Sequence, residues 1–210
     1  RKKIRKAQKK GVTIKVSSLN DALIEGIKEI YNETPIRQGR PYWNYGMDFE
    51  LTKKENSLFS DRSDFICAYY NNELIGYIRI VYTNRFARTM GILAKVAHRD
   101  KAPMNLLIAK AVEVCAEKKV SYLTYAKFSY GKVGSDSMMD FKYYNGFESI
   151  ALPRYYIPLS VKGKITLFLN LQHGIIGLIP SKMVHLLRNL KQRWYLRNNA
   201  AALTVNENND

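Results

Sequence analysis

The residues best suited to chemistry lie at 98–105 (HRDKAPMN), between a strand-like run and a helical pattern. Pro103 suits the first turn of a helix, because that position needs no backbone N–H donor. The N–H groups at the start of a helix have no partners within the helix, so they attract anions. This junction therefore predicts a site for an anionic group such as a phosphate.

A second candidate group lies in the irregular segment 35–50 (PIRQGRPYWNYGMDFE), which is rich in Gly, Pro and aromatic residues. Loops with rigid aromatic surface often line or cover a pocket. The side chains predicted to contact a substrate are Arg37, Arg40, Tyr42, Trp43 and Tyr45. The alternative is that Trp43 and Tyr45 anchor this segment on the core.

Metal and thiol chemistry are not predicted. Cys67 and Cys115 stand alone on predicted core elements, which favours buried structural thiols in a reducing compartment. The three histidines, at 98, 173 and 185, do not have the spacing of metal ligands. We therefore expect no metal.

The chain is strongly basic, with 34 Lys and Arg against 18 Asp and Glu among 210 residues, a formal charge of +16. Such a charge attracts phosphate-bearing cofactors, nucleic acid or an anionic membrane, although a solvated basic face is the simpler interpretation. The first residue is Arg, which suggests a piece of a longer protein, and the sequence shows no signal peptide. We expect a cytoplasmic protein, peripheral at the membrane if the basic surface binds lipid.

The elements that must position these residues follow from the periodicity of the apolar residues. A basic helix over 1–10 ends at Gly11 and precedes a strand at 12–16. Ser18 and Asp21 resemble a capping box that opens a helix ending before Pro35. A further helix is predicted over 50–60.

The middle of the chain predicts a hairpin over 65–82, turning at Asn71-Asn72 and bulged near Gly76. The remaining predicted elements are strands at 90–97 and 120–128, a helix of about 15 residues from Pro103, a helix from Ser135 to Tyr144, and short strands at 149–151 and 155–159.

Beyond Gly163 the apolar run ITLFLNLQHGIIGLIP is interrupted by polar residues and is shorter than a spanning helix of about 20 apolar residues. After Pro180, a helix is predicted with apolar residues on one side and basic residues on the other. It either docks on the domain or lies on a membrane surface.

The order of elements over 12–160 and the junction at 98–105 resemble the GNAT superfamily of acyl-CoA-dependent N-acyltransferases. The resemblance implies an α/β fold, a mixed central sheet with flanking helices, here with a C-terminal helical appendage. Four segments are expected: a basic lead-in at 1–11 that links to an upstream domain, the GNAT-like domain at 12–160, an amphipathic extension at 161–197 and a polar tail at 198–210.

The resemblance also implies the cofactor site. The family wraps a pyrophosphate in an Arg/Gln-x-x-Gly-x-Gly/Ala loop, and Arg99 matches its first position. Ala102 and Met104 stand where small residues are usual, Pro103 removes one N–H, and Lys101 offers a compensating charge. The residues expected to bind acetyl-CoA or another acyl-CoA are Leu93, Ala94, Val96, Arg99, Asp100, Lys101, Ala102, Met104 and Asn105. A backbone N–H of Leu93 or Ala94 would polarise the thioester carbonyl.

FKYYNGF at 141–147 resembles the family's Phe-Tyr-x-x-x-Gly-Phe run, whose Tyr reprotonates the departing thiolate. That position holds Lys142, and Tyr144 is the other candidate, since a phenol or a lysine can act as the acid. Glu50, Tyr125 and Tyr130 are the groups suggested to accept the proton of the amine, and Tyr125 also to contact the substrate.

The basic segment RKKIRKAQKKGVTI carries a second resemblance, to the start of the second GNAT-like domain of Fem-type peptidoglycan aminoacyltransferases. Three functions stay open. The first is transfer of an acyl group from acyl-CoA to a small-molecule or peptide amine by direct attack. The second is aminoacyl transfer from tRNA in cell-wall synthesis. The third is a non-catalytic scaffold at an anionic membrane surface. The oligomeric state is not predicted.

Overall fold

The computed structural model describes residues 2–37, 40–127, 137–169 and 171–173, and a few positions between 183 and 194. The strands of the described residues are β1 (Thr13–Ser17), β2 (Ile36–Arg37), β3 (Arg40–Pro41), β4 (Ser63–Tyr70), β5 (Glu73–Thr83), β6 (Phe86–Ala94) and β7 (Tyr122–Thr124). The helices are α1 (Lys2–Lys9), α2 (Asp21–Asn32), α3 (Phe49–Ser57), α4 (Pro103–Glu117), α5 (Ser137–Tyr144) and α6 (Val161–Phe168).

The centre of the fold is a five-stranded mixed sheet in the order β1-β4-β5-β6-β7. The first four strands pair antiparallel, and β7 pairs parallel to β6 through the crossover helix α4. β2 and β3 form a separate small hairpin. The predicted mixed α/β sheet with flanking helices is therefore confirmed.

Each face of the sheet is covered by its own helices. On one face, Ala7 of α1 and Leu107 of α4 pack with Ile66 and Ile78 of the sheet. On the other, Ile27 of α2 packs with sheet residues that include Phe65 and Tyr77. Because successive strand residues point to opposite faces, β4 and β5 supply both cores. They are buried on both faces, as their apolar sequences suggest.

Several predicted local signals are confirmed. Gly11 takes φ +81° after α1, and Asn71 and Asn72 take φ 49° and 66° in the β4–β5 turn. The helix predicted before Pro35 is α2, and it buries five periodically spaced residues, namely Leu23, Ile24, Ile27, Ile30 and Tyr31. Pro103 begins α4, which has the predicted length of 15 residues.

Two signals lie at neighbouring residues instead. Asn20 rather than Ser18 caps α2, because its side-chain oxygen accepts from the N–H of Leu23 at 2.8 Å. The bulge predicted at Gly76 falls one residue earlier, since Ala68 pairs with Gly76 but Tyr69 with Leu74. Gly76 is instead required by close packing, because a Cβ there would meet the Cβ of Ala94 at 3.0 Å.

The predicted boundaries of three other elements were wrong, and two predicted strands did not form. The strand placed at 90–97 runs from Phe86 to Ala94 and turns into a 3₁₀ helix at Val96–Lys101. Only Tyr122–Thr124 of the strand at 120–128 is in the ladder, and α3 ends at Ser57. No strand forms within 148–160, where 149–151 and 155–159 had been predicted, because this segment has no paired neighbour. Ser135 lies outside the described residues.

Candidate functional site

The centre of the site is the point at which β6 separates from β7. Their pairing covers Phe86 to Arg88, opposite Tyr122 to Thr124. Immediately after it, the β5–β6 register shifts by one residue, so that Met90 is an extra residue in β6. A β-bulge bends its strand and ends regular pairing. The backbone beyond Met90 therefore leaves β7 and opens a wedge between the two parallel strands.

The backbone direction in β6 shows which groups face this wedge. The N–H of Lys95 donates to the carbonyl of Ile75 on β5 at 2.8 Å. Because peptide groups alternate along an antiparallel strand, those of Leu93 and Gly91 also face β5. Those of Ile92 and Ala94 face away from β5. Of the two N–H groups predicted to polarise a thioester, that of Leu93 therefore faces β5 and that of Ala94 faces the wedge. The N–H of Ile92, which the sequence analysis did not name, faces the wedge as well, because the position of the bulge sets this alternation.

An ion pair from the end of α2 holds the end of β6. The carboxylate of Glu33 accepts from the N–H groups of Val96 and Ala97 at 2.7 and 2.9 Å. Arg37 donates to Glu33 at 3.1 Å and to the carbonyl of Ala94 at 2.8 Å. We call Glu33 and Arg37 the clamp. Arg37, which was predicted to contact substrate, thus binds the Ala94 carbonyl and the Glu33 carboxylate. Val96 was predicted to bind the cofactor, but its N–H donates to Glu33.

The predicted phosphate loop is a 3₁₀ helix that leads into α4. Arg99 is exposed, whereas Asp100 accepts from Lys10, the residue that follows α1, at 2.6 Å. This hydrogen bond lowers the pKa of the Asp100 carboxyl. The ammonium of Lys101 lies 4.6 Å from the ring centroid of Tyr70. Lys101 therefore packs toward the β4–β5 hairpin rather than standing alone as a surface charge.

The N-terminus of α4 offers backbone donors beside this loop. Ala102 takes the left-handed conformation at φ 54° and makes no side-chain cap. Met104 and Asn105 follow Pro103 in the first turn. Pro103 has no N–H, and the N–H of Asn105 donates to the carbonyl of Ala102 at 3.2 Å, so this helix start offers fewer donors than a usual N-terminus. The side chain of Asn105 donates to the side chain of Asn145 at 3.0 Å. This bond joins the start of α4 to the residue that follows α5.

The two predicted proton donors differ in exposure. Lys142 is completely buried, and its ammonium donates to the carbonyl of Lys127 and lies 4.5 Å from the ring centroid of Tyr125. Tyr144 is 78% exposed. Tyr125 also meets Phe147 edge to face, with ring centroids 5.4 Å apart. Lys142 thus points toward the end of β7, at the wedge, and Tyr144 toward solvent.

The other predicted substrate contacts are spread over one side of the domain. Tyr42 is half-buried between Arg37 and Tyr31, and this burial raises the pKa of its phenol. Trp43 is 80% exposed and does not anchor the segment on the core. Tyr45 and Glu50 are exposed as well. Arg40 has a described backbone only, and Tyr130 lies outside the described residues.

One buried side chain on this side was missed in the sequence. Arg79 on β5 is only 4% exposed. It is the only charged residue in the run Leu74–Val81. A charge in the centre of an apolar strand is the signal that could have identified it, since buried charges are rare and costly.

Other features of the described part lie away from the wedge. A surface pocket of about 460 Å³ lies between α2 and α3 and includes Asn20, Asp21 and Lys53, with no residue of β6 or β7. In the described ranges, no cluster of His, Cys, Asp or Glu has the arrangement of a metal site. Within the same ranges, no helix has the length and apolar character needed to cross a membrane.

No protein-family model and no curated protein matches the sequence. The solved structures that are similar in fold include two acetyltransferases. The ribosomal-protein-S18-alanine N-acetyltransferase from Escherichia coli is 12% identical, with a TM-score of 0.50 over 72% of this chain and 87% of its own. An aminoglycoside acetyltransferase from an uncultured soil metagenomic sample, in complex with sisomicin, is 15% identical, with a TM-score of 0.50 over 70% of this chain and 95% of its own. The strand order, the wedge beyond Met90 and these similarities together show that the chain has the GNAT N-acyltransferase fold.

Proposed function

We propose that this protein is an N-acyltransferase that moves an acyl group from acyl-CoA to an amine. The observation that carries the proposal is the wedge beyond Met90, where β6 turns unpaired backbone groups toward the space beside β7. Both similar structures are acetyltransferases, so acetyl-CoA is the first donor to test.

The wedge would hold the pantetheine arm of the donor. An extended amide chain laid along β6 could pair with the outward backbone of Ala94 and place the thioester near Ile92. The N–H of Ile92 would stabilise negative charge as it develops on the thioester oxygen. An amide N–H of the pantetheine arm that donates to the Ala94 carbonyl would replace the hydrogen bond that Arg37 donates to this carbonyl. The first turn of α4 and the exposed Arg99 would attract the pyrophosphate.

The reaction is a direct displacement. The amine nitrogen forms a bond to the thioester carbon, the C–S bond breaks, and the amide product keeps the carbonyl oxygen. The amine proton leaves through water or a nearby carboxylate or hydroxyl, for which Glu50 and Tyr125 remain candidates. The coenzyme thiolate takes up a proton, for which buried Lys142 is better placed than exposed Tyr144.

The first test is binding of acetyl-CoA without an acceptor. A ligand at 100 times its Kd stabilises a protein by about 2.7 kcal/mol, which a thermal-shift assay detects readily. We expect this shift with acetyl-CoA and not with the same concentration of adenosine. If millimolar acetyl-CoA and longer acyl-CoA thioesters leave the Tm unchanged, the proposal is wrong.

The second test separates the two neighbouring backbone groups. Ile92→Pro removes an N–H that faces the wedge, whereas Leu93→Pro removes one that faces β5. Loss of one donor to a developing oxyanion lowers kcat by about 100- to 1,000-fold. We therefore expect Ile92→Pro to retain most of its stability and lose activity, and Leu93→Pro to unfold more readily. Full activity in folded Ile92→Pro would contradict this role of Ile92.

A second function, at an anionic membrane surface, is favoured by the C-terminal segment. In α6, Val161, Ile165 and Phe168 are between 53% and 86% exposed and alternate with Lys162 and Lys164. Apolar side chains beside lysines favour the surface of an anionic bilayer. Sedimentation with vesicles of mixed phosphatidylcholine and phosphatidylserine should therefore exceed that with phosphatidylcholine alone, and Phe168→Ser should reduce it. Equal sedimentation would exclude this function.

The Fem-type alternative gains no support from the two similar structures. It predicts binding to aminoacyl-tRNA that weakens steeply with salt, since phosphate contacts dominate such complexes. Titration of tRNA at two salt concentrations, with acetyl-CoA as a competitor, separates it from the leading proposal.

A further inference from the structure

The guanidinium of Arg79 is buried, and two of its three nitrogens have no hydrogen-bond partner among the described residues. It lies on the α2 and α3 face of the sheet, 5.5 Å from the ring centroid of Phe65, and is 4% exposed. Nη1 donates to the backbone carbonyl of Glu55 on α3 at 3.3 Å. Nε and Nη2 have no hydrogen-bond partner in the described structure. Arg79 therefore presents unsatisfied donors inside the domain.

The two unused nitrogens form one edge of the planar guanidinium. Their N–H groups point in parallel and match the two oxygens of a carboxylate, the arrangement found in bidentate arginine–carboxylate pairs. No carboxylate lies within ion-pair distance of Arg79 among the described residues. Burial lowers the pKa of the Arg79 guanidinium from its usual high value. A buried charge without a partner is costly, so a purely structural role does not explain it.

The surroundings of Arg79 are also polar, which is unusual beneath a helix. The residues that α3 buries are Thr52 and Asn56, whereas amphipathic helices usually bury an apolar stripe. Asn56 donates to the hydroxyl of Tyr31 at 3.3 Å, and this hydroxyl lies 2.9 Å from that of Tyr77. We call Tyr31, Thr52, Asn56, Tyr77 and Arg79 the polar layer. Its hydrogen bonds join α3 to α2 through Asn56 and Tyr31 and to β5 through Arg79 and the carbonyl of Glu55.

The polar layer lies next to the wedge. Arg79 pairs with Gly91 on β6, directly beside the extra residue Met90. A Cβ at Gly91 would be 3.4 Å from the hydroxyl of Tyr77, so the absent side chain leaves room for the phenol over β6. Neighbouring strands are about 4.8 Å apart. The edge of β6 that faces the wedge is thus one strand spacing from the backbone of Arg79.

We propose that the Nε and Nη2 edge of Arg79 binds a carboxylate of the amine acceptor, so that the protein acylates amines that also carry a carboxylate. This inference rests on the proposed acyltransferase function.

The kinetic test uses matched acceptors that differ only in charge. Glycylglycine and glycylglycinamide share the amine, as do β-alanine and β-alaninamide. Hydrogen bonds to charged groups favour the carboxylate member by about tenfold or more in kcat/KM. We expect Arg79→Gln to remove this preference and Arg79→Lys to retain part of it. Equal rates for both members in the wild type, or an unchanged preference in Arg79→Gln, would overturn the inference.

A binding test does not depend on catalysis. In ¹⁵N-labelled protein, the Nε–H resonance of Arg79, assigned by its loss in Arg79→Lys, should shift as glycylglycine is added and stay in place with glycylglycinamide. If acetyl-CoA fails to bind but this shift occurs, the proposed reaction fails and the carboxylate site stands. If acetyl-CoA binds and the resonance does not move, the carboxylate site is wrong.

A stability test distinguishes binding from a structural role. Arg79→Met keeps the aliphatic stem and removes the unpaired buried charge. We expect its urea midpoint to equal or exceed that of the wild type, as is common when a functional residue is replaced at a strained or buried site. A clear fall in the midpoint would assign Arg79 to maintenance of the fold and overturn the inference.

Discussion

The sheet domain and the C-terminal segment at 148–169 contain similar apolar residues in opposite environments. Ile66, Ile75 and Ile78 on the central strands are 0% exposed. Ile157 and Leu159 in the segment are 79% and 94% exposed. The central strands have helices on both faces, whereas the segment from 148 to 160 forms no helix or strand. Apolar composition alone therefore does not decide burial, which also needs a second layer to pack against.

This difference has an energetic meaning. Burial of an aliphatic side chain contributes about 1.5–3 kcal/mol to folding, so the central strands carry much of the stability and the segment carries little. Contiguous exposed apolar surface usually marks a contact with a partner or a membrane. The sheet domain is thus the scaffold that positions the wedge, and the exposed segment is the part of the chain in which we propose a surface for contacts.

The sharpest test of this comparison is a matched pair of truncations. Ile78→Ala removes a fully buried side chain and should lower the free energy of unfolding by about 2–5 kcal/mol. Ile157→Ala removes an exposed one and should change it by less than about 0.5 kcal/mol. Urea unfolding followed by circular dichroism measures both. A cost above 1 kcal/mol for Ile157→Ala would show that the segment packs against the domain, and the comparison would fail.

A smaller effect is expected at the clamp, where polar contacts rather than apolar burial hold the sheet domain. Glu33→Gln removes the charge that accepts from Val96 and Ala97 and pairs with Arg37. Hydrogen bonds to charged groups contribute about 1.5–3 kcal/mol each, and the amide keeps part of them, so a loss of about 2 kcal/mol is expected.

The control for Glu33→Gln is Glu29→Gln, because Glu29 also lies on α2 but pairs with Lys95 with its side chain 55% exposed. Exposed pairs contribute about 0–1 kcal/mol. Equal losses of unfolding free energy in the two variants would mean that the clamp is no stronger than an ordinary surface ion pair.

The smallest effect concerns the pH dependence of an exposed pair in the sheet domain. The hydrogen bond from Lys95 lowers the pKa of the Glu73 carboxyl, with burial opposing it and His98 adding to it. Because this pKa is lower in the folded than in the unfolded protein, the ionised Glu73 carboxylate stabilises the fold at pH values above the unfolded-state pKa near 4.3. This stabilisation is lost as the pH falls through the pKa of the folded state. Because Glu73 is 41% exposed, we expect no more than about 0.5 kcal/mol. Glu73→Gln should therefore differ slightly from the wild type at pH 7 and match it at pH 3 in urea unfolding, and a gap that widens at pH 3 would contradict this sign.

Local chemistry explains which parts of the fold could be predicted. Single residues or short periods predict the turn at Asn71-Asn72, the start of α4 at Pro103 and the buried face of α2. The strands predicted at 149–151 and 155–159 did not form, because a strand needs a partner edge that its own sequence does not specify. The fold that contains the wedge was predicted from resemblance, and the two similar structures support that fold.

The details of the site could not be predicted for related reasons. The backbone N–H of Ile92, and not that of Leu93, faces the wedge because the extra residue Met90 shifts the alternation of peptide groups along β6. The position of this bulge depends on pairing with β5, which the sequence of β6 does not specify. Arg79 can be recognised in the sequence as a charge within an apolar strand. That its Nε and Nη2 have no hydrogen-bond partner in the described ranges depends on the residues of α3 that lie near it, which the sequence of β5 does not specify. The surroundings of the Lys142 ammonium could not be predicted, because they include Tyr125, a residue from another part of the chain.

The clamp has a consequence for the order in which two substrates bind. Arg37 occupies the Ala94 carbonyl, so an incoming thioester arm that pairs there must release this side chain, and Arg37 belongs to the same connection as Tyr42. Arrival of the donor would thus reshape the entrance used by the amine. In the proposed reaction, the donor is therefore expected to bind before the acceptor.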